Sequence, residues 1–431
     1  MTSKAKIVFL SILLFIAAAI VAFYFSPYIL AHLSFVYGFL SCLVLFSLLS
    51  VVFFFIKSSS YKQIGISNVS FLTIAVSSMA FGIFAMVIVA KQSQNSARAD
   101  QIQLTKLELA SERTYAIENA NLMTQFLAVA KEANQELERN RQKNISDKYI
   151  TRFAELSAAV KPLRNFEGDS LSVKRFSLER GQMLLTLIKM EMDSVTFAKV
   201  KSKVTFASAQ LEGFELPNVD LSGADLSGAN LKDANLENAE LSKINLREAC
   251  LWGAKLNGSH LREADLVRSN LDWAGLNRSN MSGAKLDGST LRNAKIKDSN
   301  LVEVSLQWAN LEAVVMTGTD FESALLIGSD FYKGNVSGAN MLYTSLRSTK
   351  WEDADLSNVN LKNGVFGNAL LKNTNLEGTQ LDSVLVRGKD WFEKIETWHS
   401  GGADIIKRSY TLERDRNTDF YFLRKTKLKE D

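Results

Sequence analysis

Residues 224–243 read ADLSGANLKDANLENAELSK, and the leucines Leu226, Leu231, Leu236 and Leu241 follow one another at intervals of five. This interval fits neither common periodicity. On an α-helix, five residues advance by one full turn and roughly 140° more, so the leucines would be scattered around the axis. On a flat strand, an odd interval sends successive side chains to opposite faces. The backbone must therefore change direction between one leucine and the next.

The same five-residue spacing continues through a long segment of the chain. Every fifth residue from Phe206 to Trp391 is apolar, and a small residue usually stands two positions earlier, as Ala224, Ala229 and Ala234 do. A chain that makes a right-angled turn after each five-residue side closes one coil after four sides, with every central residue pointing to the axis. The small residues share this inward face, because alternate residues of an extended chain lie on one side. The sequence therefore predicts a mainly β solenoid.

The tandem motif A(D/N)LXX closely resembles the pentapeptide-repeat family. The resemblance implies that residues 204–390 adopt the right-handed quadrilateral β-helix of that family. In the second half, valine replaces the small inward residue at several positions. The coils that contain these valines are expected to be slightly swollen: Val304, Val314, Val359 and Val384.

Both ends of a solenoid expose unpaired strand edges and apolar core, so we expect each end to be capped. Residues 146–203 are predicted to form a helical connector and N-terminal cap, with an amphipathic helix from Ser170 to Met192 over the first coil. Residues 391–431 are predicted to form a short closing helix and a hairpin, whose strands are Tyr410–Arg414 and Phe420–Lys425.

Residues 1–90 are predicted to be a membrane domain. No Asp, Glu, Lys or Arg occurs from Ile7 to Ile56, and one span needs roughly 20 apolar residues, so this run holds two spans joined near Pro27. A third uncharged run follows, which places the predicted transmembrane helices at about 7–25, 35–56 and 71–90. A cleaved signal peptide is disfavoured, because no small-x-small site precedes a polar mature start.

Basic residues near the spans favour a cytoplasmic N terminus. Lys4 and Lys6 precede the first span, and Lys57 and Lys62 lie between the second and the third. Three crossings then place the repeats outside the cytoplasm, although Lys91, which follows the third span, leaves the cytoplasmic side open. We expect a multi-pass protein of the bacterial inner membrane.

Residues 91–145 are predicted to form a long helix, because no Gly or Pro occurs between Gly82 and Pro162. Residues at intervals of seven match the a positions of a coiled coil: Ile102, Leu109, Ala116, Met123, Ala130 and Leu137. The matching d positions are poor, since Glu112 and Asn119 are among them. Self-association as a coiled coil and packing against neighbouring helices both remain open.

The residues give no sign of catalytic chemistry. The chain has three histidines and two cysteines, and they do not fall at metal-ligand spacing. It also lacks a phosphate-binding loop and a dinucleotide fingerprint. His260, beside Ser259, stands where Asp or Asn is usual, which favours a surface turn over a Ser–His pair. We therefore expect a protein with no enzymatic activity, no metal and no cofactor.

Two functions agree with this pattern. One is a membrane-anchored scaffold that binds a partner protein on its flat sides and associates with itself through the predicted long helix or the repeats. The other follows from the resemblance, because some pentapeptide-repeat proteins mimic duplex DNA and bind and protect DNA gyrase. Residues 206–391 carry 18 Lys and Arg against 24 Asp and Glu, a net charge of −6. Duplex DNA carries one charge per about 1.7 Å, so the scaffold is favoured, and nucleic acid is not an expected partner.

Side chains twenty positions apart are expected to stack on one side of the solenoid, which defines candidate contact residues. In the column that begins at Asp225, three large apolar residues replace the usual Asp or Asn: Leu325, Val365 and Leu385. Cover by the segment Trp391–Ile406 would explain them, and so would a self-association or partner surface. Trp252 and Trp273 fall on adjacent coils with no cap within reach in sequence, and we predict that they form a contact patch.

Overall fold

The computed structural model describes three stretches of the chain: 68–167, 170–416 and 418–426. Within helices and strands, the side chains at 68–89 and 165–173 lie outside this description. The chain forms two compact units, Met1–Glu108 and Leu109–Asp431. Helix α1, Asn68–Arg139, belongs in part to each unit.

The predicted membrane spans fall largely outside the described residues. The first two, at 7–25 and 35–56, lie wholly outside them, and the third, at 71–90, coincides with the beginning of helix α1. In the part of the chain that the structure describes, no helix is long and apolar enough to cross a membrane.

The end of helix α1 packs against helix α2, Asp147–Ala159. The rings of Phe126 and Phe153, both fully buried, lie 4.9 Å apart between centroids. The polar d positions bind the chain that follows α2: the Asn119 side chain donates to the Lys161 carbonyl at 2.8 Å and accepts from the Lys161 amide at 3.0 Å. The hydrogen bonds between Asn119 and Lys161 thus hold α1 against the segment after α2 of the same molecule. Of the two alternatives for α1, this part of the helix shows packing against neighbouring elements and not a coiled coil.

The structure corrects the predicted helix from Ser170 to Met192. Strands β1, Leu163–Glu167, and β2, Ser170–Phe176, form an antiparallel hairpin, and helix α3 covers only Leu178–Lys189. Polar and apolar residues alternate at the start of β2, which is the strand periodicity. The helix begins after Ser177, whose hydroxyl accepts a hydrogen bond from the Arg180 amide at 3.0 Å and so caps its N terminus.

Helices α3 and α4, Ser194–Lys203, cover the first coil. The buried guanidinium of Arg180 donates to three backbone carbonyls, those of Ser157, Val160 and Ala207, at 2.7–3.1 Å. These bonds tie α2, α3 and the first coil together. Burial lowers the pKa of Arg180.

Parallel bridges between residues twenty apart repeat from Thr205–Asp225 to Asn360–Gln380, so one coil takes four five-residue sides. The central residues are buried throughout this segment, and so are the residues two positions earlier except Phe214 and Val219, which are half-buried. The four valines that replace small residues in the second half are fully buried, and Val304 keeps the same turn hydrogen bond as its alanine counterparts, 3.1 Å to the Leu301 carbonyl. The predicted β-solenoid is confirmed, and the register of its bridges is irregular beside Val384, where it shifts between Val365 and Gly367.

The remaining elements close the C-terminal end. In chain order they are β3 (Val365–Gly367), β4 (Leu385–Arg387), α5 (Trp391–Thr397), α6 (Ala403–Ser409), β5 (Tyr410–Arg414) and β6 (Phe420–Lys425). The four strands form one sheet in the order β3-β4-β6-β5, so the hairpin extends one side of the solenoid. The chain between α5 and α6 adds a last partial turn, in which Gly401 pairs with Asn375.

Candidate interaction surfaces

Each five-residue side points three residues outward: the one before the central residue and the two after it. The second residue after the centre lies in the left-handed region, as Asn238 does with φ 56° and Gly228 with φ 64°. Gly, Asn and Asp adopt this conformation most readily. Because the core is nearly uniform, the outward residues distinguish one side of the solenoid from another.

The predicted contact residues Trp252 and Trp273 lie on the same side of adjacent coils, and both are exposed, Trp252 by 38% and Trp273 by 59%. The ammonium group of Lys232, one coil earlier, lies 5.5 Å from the centroid of the Trp252 ring. Two aromatic rings with a cation against one of them form a surface of the kind that Trp and Arg anchors occupy in protein interfaces.

Beside Trp273, a buried carboxylate pairs with a half-exposed arginine of the next coil. Asp272 stands between the Trp252 and Arg292 positions and is only 2% exposed. Its carboxylate accepts hydrogen bonds from Nε and Nη2 of Arg292 at 2.9 and 2.6 Å and from the Arg292 amide at 2.8 Å. The hydrogen bond and charge of Asp272 raise the pKa of Arg292. Two of these hydrogen bonds end on Oδ2 and the third on Oδ1, and such charge-assisted bonds join the two coils here.

Three exposed aromatic residues occupy the left-handed turn position, where small or polar residues are usual. They are Trp273 (φ 63°), Trp308 (φ 59°, 70% exposed) and Tyr343 (φ 59°, 57% exposed). A bulky residue with positive φ is a backbone outlier that costs on the order of 1–2 kcal/mol. Sequence reasoning missed Trp308 and Tyr343, although an aromatic residue at a position that favours Gly, Asn or Asp is a signal that the sequence carries.

The other three predicted contact residues lie on one side that we call the apolar wall: the outward residues of 304–308, 324–328, 344–348, 364–368 and 384–388. Bridges join its column in the order Ser305, Leu325, Ser345 and Val365, and Leu385 pairs with Val365. Leu325 is 43% exposed, whereas Val365 and Leu385 are half-buried. Strand β6 continues the wall, because Phe422 pairs with Leu385. Ile327 and Trp308, which sequence reasoning did not select, also belong to it.

The predicted cover of this column by Trp391–Ile406 is wrong for Leu325, which is exposed. The segment packs against the open end of the solenoid instead. The Trp398 carbonyl accepts a hydrogen bond from the Asn373 amide at 2.7 Å, and the Trp391 ring lies 6.1 Å from that of buried Phe366. The end of the solenoid exposes unpaired backbone groups and the apolar core of the last coil, whereas the backbone of a side is already paired. Exposure of the end is therefore less favourable than exposure of a side.

Charged residues on the Trp252 side are arranged as cation–carboxylate pairs between coils. The pairs Lys232–Glu212, Arg292–Asp272 and Lys372–Glu352 have N–O distances of 3.3, 2.6 and 2.8 Å. Each cation lies one coil after its carboxylate, so both signs of charge are present along the column. This is not the dense acidic surface that DNA mimicry requires.

Ser259 and His260, the one Ser–His neighbour pair weighed in the sequence, do not bond to each other in the structure. Among the described residues, no group of three or more His, Cys, Asp or Glu side chains is placed to hold a metal ion. The Ser259 hydroxyl donates to the Leu256 carbonyl at 2.7 Å, and His260 Nδ1 lies 3.0 Å from Glu240 Oε2, so the two neighbours bind different partners. His260 is an exposed residue of the surface column.

The repeating four-sided coils with parallel bridges define a β-solenoid repeat protein. The family model described as Pentapeptide repeats matches the chain in eight copies, over residues 206–242, 244–283, 264–301, 274–312, 305–341 and 346–388. Through this segment the chain belongs to the pentapeptide-repeat family. No curated protein matches the chain.

Several solved structures match the repeat segment. HetL, a pentapeptide repeat protein involved in heterocyst differentiation regulation in the cyanobacterium Nostoc sp. strain PCC 7120, is 26% identical, with 44% of this chain and 92% of HetL covered and a TM-score of 0.28. The protein alr5209 from Nostoc PCC 7120 is 33% identical over 26% of this chain and 79% of its own, with a TM-score of 0.12. QnrB1, a plasmid-mediated fluoroquinolone resistance protein, is 19% identical over 45% of this chain and 90% of its own, with a TM-score of 0.22.

Proposed function

We propose that the protein is a membrane-anchored, non-enzymatic scaffold whose repeat domain binds a partner protein. The observation that carries this proposal is the set of exposed aromatic residues at left-handed turn positions, Trp273, Trp308 and Tyr343. Backbone strain that adds no buried surface is retained when the side chain has another use. Exposed aromatic residues are the side chains that protein interfaces favour.

The charge arrangement supports a scaffold over a gyrase-binding DNA mimic. Carboxylates on the Trp252 side are neutralised by Lys232, Arg292 and Lys372 on the following coils. A gyrase supercoiling assay with the full chain separates the two functions. Potent inhibition would favour the mimic and count against the scaffold.

A photo-crosslinking residue placed at Trp273 in the full chain, in cells that express it natively, tests the scaffold function. We expect an adduct of defined mass with a partner protein. The same residue at Thr317, on another side of the solenoid, should give no such adduct. If positions 252, 273 and 308 all failed to crosslink to a protein, the scaffold proposal would be lost.

Membrane anchoring rests on the uncharged run from Ile7 to Ile56 and on the third apolar run before Lys91. The basic residues at the ends of the spans favour an extracytoplasmic repeat domain. Protease added to spheroplasts should cleave the chain near residues 93–100, and inverted vesicles should protect it. The reverse pattern would place the repeats in the cytoplasm, and extraction of the chain by alkaline carbonate would contradict the anchor itself.

A further inference from the structure

The apolar wall contains two arginines and no Asp or Glu on any of its five coil sides. Both Arg347 and Arg387 are exposed. Arg387 Nη1 donates to the Asn368 side-chain oxygen at 3.0 Å, and the Arg347 guanidinium lies 5.8 Å from the centroid of the Phe420 ring. Among the residues that the structure describes, neither arginine forms an ion pair.

On the neighbouring side of the solenoid, most cations are paired with carboxylates. Lys232, Arg292, Lys350 and Lys372 each lie within 4 Å of a carboxylate one coil away. The spacing of the coils therefore allows such pairs to form readily, and the wall differs because its sequence supplies no acid. Its arginines are left with hydrogen-bonding capacity that a carboxylate would satisfy in bidentate fashion.

The same surface is the main apolar stretch of its column. Leu325, Val365, Leu385 and Phe422 follow one another across strands joined by backbone pairing, with Ser345 between the first two. At about 4.8 Å between strands, this column is roughly 19 Å long. An apolar strip of this length, interrupted only at Ser345 and edged by aromatic residues, is typical of an interaction site.

We propose that the apolar wall is the docking surface for a segment of another protein that carries apolar side chains flanked by Asp or Glu. The proposal rests on the scaffold function and adds the chemistry of the partner. Apolar side chains of the segment contact Leu325 and Ile327, and its carboxylates bind Arg347 and Arg387. Tyr343 and Trp308 lie at the two corners of the wall and border the bound segment.

Charge complementarity selects this occupant over two others. Symmetric pairing of two copies through this wall would bring together surfaces that both lack a carboxylate, and their arginines would stay unpaired. A membrane surface is usually recognised by clusters of about 4–8 Lys and Arg, which exceeds the two arginines of the wall. A partner segment with apolar and acidic side chains can cover the apolar residues of the wall and pair with its two arginines.

Selection from a phage-displayed library of random peptides on the full chain tests the proposal. Peptides retained by the natural chain but not by its Arg347→Glu variant should be enriched in Asp and Glu beside Leu, Phe or Trp. Their affinity should fall at least tenfold in Arg347→Glu and in Leu325→Asp. It should change by less than twofold in Lys285→Glu, an equal charge reversal in the same column outside the wall. Melting curves of the three variants should be cooperative, which checks that each variant is folded.

Several outcomes would overturn the proposal. One is a selected set without acidic residues, and another is a set that both wall variants bind equally well. Dimerisation lost in Leu325→Asp would assign the wall to a second copy, and binding to anionic phosphatidylserine vesicles lost in Arg347→Glu would assign it to a membrane. Crosslinking of a partner at Trp273, undisturbed by the wall variants, would preserve the scaffold function and remove only this docking surface.

Discussion

The indole ring of Trp308 lies directly over Gly328, the residue one coil further along the same column. A Cβ atom at residue 328 would come within 2.5–2.8 Å of three ring carbons. Gly328 also has φ 71°, so two requirements fall on this residue: a left-handed turn and a close approach of an aromatic ring. The Trp308 ring thus occupies the space that a side chain at residue 328 would need.

Replacing Gly328 with alanine should therefore displace the Trp308 ring. We expect the free energy of unfolding to fall by about 2–3 kcal/mol, from the left-handed backbone and from the displaced ring together. Gly338→Ala is the matched control, because Gly338 has φ 70° and nothing within 4 Å of the added atom. It should lose only about 1 kcal/mol. Urea unfolding of both variants measures the difference, and equal losses would mean that the ring does not rest on Gly328.

The core register predicts a large contrast between neighbouring residues. Leu236 is fully buried, so Leu236→Asp would place an unpaired carboxylate in the core and should prevent the repeat domain from folding. Glu237 points outward and accepts one hydrogen bond from Asn257 at 3.0 Å. Glu237→Lys should therefore lower stability by under about 1 kcal/mol. Thermal melts followed by circular dichroism rank the two variants, and the opposite order would contradict the five-residue register.

An ion pair at the N-terminal cap predicts a pH dependence. Lys201 is almost fully buried, and its ammonium group lies 2.6 Å from Asp220 Oδ1. Burial alone would raise the pKa of Asp220, but hydrogen bonds from Lys201 and Ser222 outweigh it and lower the pKa below the ordinary value of 3.8. A carboxyl with a lowered folded-state pKa stabilises the fold above its unfolded pKa, and this contribution disappears as the pH falls through the folded value.

The natural chain should accordingly melt at a higher temperature than Asp220→Asn at pH 7. The gap should narrow as the pH falls below about 4, once Asp220 takes up its proton. Melting curves of both proteins between pH 7 and pH 2 provide the measurement. A gap that stays constant across this range would show that the charge of Asp220 does not hold the cap.

The inward residues could be read from the sequence because the core imposes the same demand on every coil. An apolar centre and a small residue two positions earlier recur wherever the narrow interior must be filled, and Leu226 and Ala224 show both. Local rules failed where a distant partner decides the role of a residue. Asn119 and Glu112 weaken the heptad pattern of α1, yet both are buried and bind the chain after α2.

The candidate surface was predictable in part. Leu325, Val365 and Leu385 break the polar column, and Trp252 and Trp273 are large residues at outward positions, so composition alone selected them. The left-handed backbone strain at Trp308 and Tyr343 could be recognised only from the φ angles. The preference for Gly and Asn at this position of the repeat already indicates where such strain would occur. Whether Arg347 forms an ion pair depends on the side chains that reach it from other coils and from the C-terminal hairpin. The five-residue repeat pattern does not show these contacts.

If Trp273 is retained for contact and not for stability, its removal should leave the fold intact. Asparagine adopts the left-handed conformation easily, and other coils carry it at the same position, as at Asn238, Asn293 and Asn358. The free energy of unfolding of Trp273→Asn should thus lie within about 0.5 kcal/mol of the natural value or exceed it. Relief of backbone strain offsets the lost contacts of an exposed ring. In a chain that carries the photo-crosslinking residue at position 252, Trp273→Asn should reduce the crosslink to the partner protein.

Trp351→Asn is the control that shows what an inward tryptophan contributes. Trp351 is fully buried, its ring is stacked on Phe331 at 4.0 Å, and its Nε1 donates to the Thr349 hydroxyl at 2.8 Å. Its replacement should lower the free energy of unfolding by about 3–5 kcal/mol, because it leaves a cavity and buries an amide. The two variants remove the same side chain from opposite faces of the backbone. If Trp273→Asn also lost more than about 1 kcal/mol, the strained turn would be retained for stability, and its value as evidence for a partner would be gone.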